Sequence, residues 1–95
     1  MKIYLAGPMR GYPEHNFPAF NAAADKLRAE GHQVFNPADT GNPHGWTIRD
    51  FMSVDLAWIC NHADAVALLP GWEMSTGARA EHATAKAIGI KVIEL

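Results

Sequence analysis

Four short apolar runs, each separated from the next by one helix-length segment, limit most strongly how this chain can fold. The runs are Ile3-Tyr4-Leu5-Ala6, His32-Gln33-Val34-Phe35, Asp64 to Leu69, and Lys91-Val92-Ile93-Glu94-Leu95. Gly7-Pro8 stops the first and Pro70-Gly71 stops the third. The first run is apolar throughout, as expected of a central strand buried on both faces; the second is more polar and suits an edge. Phe17, Phe20, Ala24 and Leu27 recur at steps of 3, 4 and 3, which predicts an amphipathic helix. Asn16 is its expected N-cap, Pro18 is tolerated in the first turn, and Gly31 closes it at C′. Thr47, with Asp50 three residues on, starts a second helix that runs to about Asn61 or His62. A third helix covers Ser75 to Ile88 and ends at Gly89. The segment Asn36 to Trp46 holds two prolines and two glycines without periodicity, and reads as a long loop.

Strands joined by single helices imply a parallel sheet with right-handed crossovers. The expected order is 2-1-3-4, a flavodoxin/Rossmann-like three-layer α/β sandwich formed by one domain over residues 1–95. In that order the chain switches direction between strands 1 and 3, so the loops Gly7–Tyr12 and Pro70–Gly77 should meet at the ligand-binding edge.

Composition narrows the function. A formal charge of −2 with scattered signs gives no basic patch for a nucleic acid polymer, though a single nucleotide stays open. One cysteine, Cys60, cannot pair internally and favours a reducing compartment. The start of the chain is too short an apolar run for a signal peptide, and no stretch is long enough to span a membrane. A cytoplasmic protein is the expectation. The 95 residues bury a modest fraction of their surface, so self-association would add stability. The five histidines lack ligand spacing, so no metal or other cofactor is expected. Neither Gly-x-x-x-x-Gly-Lys-Ser/Thr nor Gly-x-Gly-x-x-Gly occurs, which disfavours triphosphate hydrolysis and a dinucleotide site.

Two carboxylates fall on apolar helix faces. At about 100° per residue, Asp55 sits within the stripe Ile48, Phe51, Met52, Trp58 and Ile59, and Glu81 lies among Met74, Ala78, Ala85 and Ile88. A carboxylate facing a core is costly unless it is hydrogen-bonded, and burial raises its pKa toward the range of a general acid. Each alone fits a structural hydrogen bond; together, after loops on one sheet edge, they fit a catalytic pair. Gly77, one turn before Glu81, leaves room for a ligand or for close helix packing. Arg10, in Gly7-Pro8-Met9-Arg10-Gly11, is either a surface cation or a phosphate ligand. Ser75 is either a helix cap or part of an anion seat at the helix start. Trp46 and Trp72 flank the same edge and offer either core filling or a stacking wall for a nucleobase.

Three segments together, Tyr4-Leu5-Ala6-Gly7-Pro8-Met9-Arg10-Gly11, Asp55-Leu56-Ala57-Trp58 with Ala63-Asp64, and Ser75-x-Gly77-x-x-x-Glu81, resemble the nucleoside 2-deoxyribosyltransferase superfamily. The likeness is strongest to its short deoxyribosyltransferase-like members and to nucleoside 5′-monophosphate N-hydrolases, and it spans nearly the whole chain. The resemblance implies that Glu81 attacks the anomeric carbon, Asp55 handles the proton of the departing base, and Tyr4 orients the nucleophile. It implies a retaining mechanism, with carboxyl groups about 5–5.5 Å apart. Nucleoside-specific members carry an aspartate six residues before the nucleophile, and monophosphate hydrolases carry a serine, as Ser75 stands here. Arg10 likewise matches the arginine of the monophosphate branch, and Gly7, Gly11 and Gly77 complete the expected phosphate and sugar site. Arg79 stands where many members have a second glycine and is a further candidate phosphate ligand. The resemblance also implies a homodimer or larger assembly. The expected function is a nucleotide N-hydrolase; a transferase moving deoxyribose between bases and a non-catalytic nucleotide-binding module are the alternatives.

Overall fold

The computed structural model describes residues 1–41 and 43–95. Its elements are β1 (Lys2–Ala6), α1 (Phe17–Ala29), β2 (Gln33–Phe35), α2 (Pro37–Thr40), α3 (Ile48–His62), β3 (Ala65–Leu68), α4 (Thr76–Ile88) and β4 (Lys91–Glu94). Short 3-10 turns at Pro13–Asn16 and Trp72–Met74 precede α1 and α4. The four strands form one parallel sheet in the order β2-β1-β3-β4, as the alternation of strands and helices requires.

Side chains alternate across the strands and divide the core in two. Ile3, Leu5, Ala65 and Ala67 face α1, where Phe20, Ala24 and Leu27 cover them. Tyr4, Ala6, Val66 and Leu68 face Ile59 of α3 and Ala78 and Ala85 of α4. The alanines keep α4 close to the sheet. The helix ends are locally encoded: Thr47 and Asp50 form a reciprocal capping box, Ser75 Oγ accepts from the Ala78 amide, and Gly89 ends α4 at φ 79°. Before β3, Asp64 accepts from the Lys2 amide at 2.8 Å and fixes the start of β1.

The loops after β1 and β3 meet, as the switch-point argument predicts. The Leu69 amide donates to Ala6 O at 2.8 Å, and a Cβ built on Gly7 would come 2.8 Å from Leu69 Cβ. A Cβ on Gly71 would lie 2.7 Å from Tyr12 Oη. Gly7 is therefore demanded by close approach of the two loops, and Gly71 by its left-handed backbone at φ 87°.

Two local expectations are corrected. Asn16 precedes α1 but does not cap it: its backbone is left-handed, and its Nδ2 donates to Pro8 O at 2.9 Å, tying the end of the loop to its beginning. The expected loop over 36–46 contains α2, because Asn36 Oδ1 caps it at the Ala38 amide while Asn36 Nδ2 donates to Asn21 on α1. Position 42 of that loop lies outside the described residues.

Candidate active site

In a parallel α/β sheet each helix that follows a strand begins at the strands' C-terminal edge. Asp55 lies about two turns into α3 and Glu81 about one and a half turns into α4, which puts them roughly 8–10 Å inward from the helix starts. Between those helix starts and the loop Gly7–Tyr12 opens a cleft of about 590 Å³, within the usual range of small-molecule sites. Asp55 and Glu81 are both buried at its inner end, 8% and 4% exposed.

Tyr4 organises that inner end. It projects from the middle of β1, is 1% exposed, and its hydroxyl donates to Glu81 Oε2 at 2.7 Å. The Asp55 carboxyl lines the same end of the cleft, and its charge helps to raise the Tyr4 hydroxyl. Loss of hydration pushes Glu81 up to about 8, opposed by the Tyr4 hydrogen bond and reinforced by the charge of Asp55. Loss of hydration likewise raises Asp55 to about 6, again opposed by Tyr4. The Tyr4 hydroxyl is itself held well above its usual range, first by burial and then by the two carboxylates. A phenol has one proton, so it donates to one carboxylate at a time. Donation to Glu81 leaves its lone pairs free to accept from a protonated Asp55. The arrangement can thus hold one acid ionised and the other protonated, the requirement for nucleophile and general acid side by side.

The outer cleft has a different character. Arg10 is exposed, lines the opening, and forms no ion pair among the described residues. In the same lining, Ser75 and the first turn of α4 present the positive end of a thirteen-residue helix. Gly77 also lines the cleft, and a Cβ added there would meet nothing closer than Met52 Cε at 3.6 Å. Unlike Gly7 and Gly71, it is a glycine the protein's own packing does not require. Gly7 and Gly11 border the cleft, Gly11 at φ 85°.

The structure brings together Tyr4, Asp55, Glu81, Arg10, Ser75 and the three glycines. Three other expected residues do not line the cleft. Arg79 is exposed and lies outside the lining. Trp72 lies against His82 with ring centroids 4.5 Å apart, and its Nε1 donates to Glu94. Trp46 packs on Phe51 at 5.0 Å. The aromatic wall expected of the two tryptophans is corrected accordingly: the aromatic rings of the cleft's lining come from Tyr4, Tyr12, Phe17, Phe20 and Phe51, with the imidazole of His15. Ile48, Phe51 and Met52, expected in the core because of their periodicity, instead form the cleft wall on α3. Periodicity cannot separate the two, since a ligand-facing wall and a core-facing wall have the same spacing. No group of three or more potential metal ligands occurs among the described residues.

A switch-point cleft on a parallel sheet, ending in two buried acids, defines the class of site. The chain belongs to the family described as a domain of unknown function, DUF4406, which matches residues 1–94. No curated protein matches it in sequence.

Proposed function

We propose that the protein cleaves the N-glycosidic bond of a nucleoside 5′-monophosphate through a glycosyl–Glu81 intermediate. The observation that carries this reading is the Tyr4 hydroxyl donating to buried Glu81 beside a second buried acid, Asp55, at the inner end of a cleft whose mouth offers a cation and a helix start. The Glu81 carboxylate attacks C1′ as the C1′–N bond breaks, and the base leaves with the bonding electrons and the Asp55 proton. Water then attacks C1′, gives a proton to Asp55, and frees both the sugar 5-phosphate and Glu81. Tyr4 holds the nucleophile and stabilises its ionised form. Arg10, Ser75 and the α4 amides bind the phosphate, one helix turn and more from Glu81. The likeness to monophosphate N-hydrolases at Ser75 and Arg10 supports the same assignment.

Between about pH 6 and about 8 the acid pair holds one proton, which these values put on Glu81, so the mechanism requires that substrate binding move it to Asp55 before Glu81 attacks. The rate should therefore be bell-shaped with limbs near those values. Incubation with a panel of nucleosides and their monophosphates, with and without a second base, tests the reading. Free base should appear from monophosphates without any acceptor. Release that needs an added base would assign a transferase, and binding without turnover would leave only a nucleotide-binding module. Arg10→Ala should raise KM for monophosphates by roughly 10- to 100-fold while leaving nucleosides unchanged; equal losses would remove Arg10 from the phosphate site.

A further inference from the structure

The site's central hydroxyl is held by its ring, and the ring is held by aromatic neighbours outside the cleft. Tyr4 and Phe35 are register partners on β1 and β2, and their rings stack at 5.2 Å with planes 27° apart. Trp58, one turn beyond Asp55 on α3, closes over both: its centroid lies 5.2 Å from Phe35 and 6.4 Å from Tyr4. Neither Phe35 nor Trp58 lines the cleft. The three rings tie β1, β2 and the helix carrying Asp55 into one contact.

We propose that Phe35 and Trp58 are positioning residues: their rings fix the tilt of the Tyr4 ring and so keep its hydroxyl on Glu81. The inference rests on the catalytic reading only for its effect on rate. A tyrosine hydroxyl stands at the far end of a rigid ring, so a small tilt at the base becomes a larger displacement at the oxygen. A hydrogen bond weakens steeply with misalignment, and catalytic geometry tolerates about half an ångström. On the β3 side Tyr4 neighbours Val66, which offers the hydroxyl no polar alternative. The charged groups facing the hydroxyl are Glu81 from α4 and Asp55 from α3, with Arg10 farther out in the same cleft. His62 touches only the outer ring, 5.7 Å from Trp58.

The test is a double-mutant cycle read in two ways. Trp58→Leu, Trp58→Phe, Tyr4→Phe and the Tyr4→Phe/Trp58→Leu double variant are compared by carboxyl-carbon NMR titration of Glu81 and by the pH dependence of kcat. Tyr4 donates to Glu81, so loosening it should move the titration of Glu81 upward and shift the upper limb of the pH profile to higher pH. Trp58→Leu should show that shift and a roughly 10-fold lower kcat, with KM within about twofold. Trp58→Phe should restore most of both. Adding Trp58→Leu to Tyr4→Phe should change neither readout further, because the ring would have no hydroxyl left to aim. Additive losses in the double variant, or an unmoved Glu81 titration in a folded Trp58→Leu protein, would overturn the proposal. The titration needs no substrate, so it decides the brace even if no base is ever released; a silent enzyme with a shifted Glu81 would sink the catalytic reading alone.

Discussion

The two faces of the sheet are made by the same strands and use burial to different ends. On the α1 side, Ile3 and Leu5 meet Phe20, Ala24 and Leu27, an apolar cluster with no ionisable member. On the α3–α4 side, Tyr4 and Ala6 share their surroundings with Asp55 and Glu81, two acids raised out of their usual range by lost hydration. Apolar burial on the first face stabilises at about 25 cal/mol per Å². The second face gives up part of that gain to hold groups that water would otherwise solvate. One residue along β1 separates the two designs.

The largest stability effect belongs to the first face. Ile3→Ala should cost about 2–5 kcal/mol in urea or thermal unfolding. Tyr4→Phe, next along the strand, keeps the Phe35 stack and should cost far less stability, yet lower turnover by roughly 10- to 100-fold through lost support of Glu81. Similar stability losses from the two would end the contrast between the faces.

Removing the acid should reverse the sign. Glu81 and Asp55 bind their protons more tightly in the folded than in the unfolded chain, so the folded state carries more protons from the ordinary carboxylate range up to about 8. Stability from this source therefore falls as pH rises through that window and levels off above it. Glu81→Gln should unfold much like the parent protein at pH 4 and be about 2–4 kcal/mol more stable at pH 9. A variant less stable than the parent at pH 9 would contradict the cost assigned to the buried charge.

The glycines give the smallest and most selective effect. Gly77 stands in a helix without a packing reason, so Gly77→Ala should stabilise the fold by about 0.5–1 kcal/mol while weakening binding of a monophosphate. Gly7→Ala, pressed against Leu69, should destabilise it by about 1–3 kcal/mol. A Gly77→Ala protein that binds unchanged would mean that the space is not reserved for a ligand.

The sequence made these faces legible to different degrees. Runs of four to six apolar residues and the helix-length gaps between them were sufficient for the parallel sheet and its order. Asp55 and Glu81 stood out because a charge on an apolar stripe is a local anomaly. Their meeting at Tyr4 follows only once β1 is placed beside β3 and both helices on one face. Asn16 does not cap α1, and Trp72 packs against the core and not in the cleft, because their partners, Pro8 and Glu94, are set by tertiary contact and not by helix position. The Tyr4–Phe35–Trp58 contact had no local signal, since it draws one ring from each of three elements.

The most direct test of the account is base release from nucleoside monophosphates by the parent protein and by Glu81→Gln, each shown to be folded. The parent should liberate free base, and the variant should lose roughly 10³-fold or more of that rate while still binding the monophosphate. Undiminished release by Glu81→Gln would contradict it.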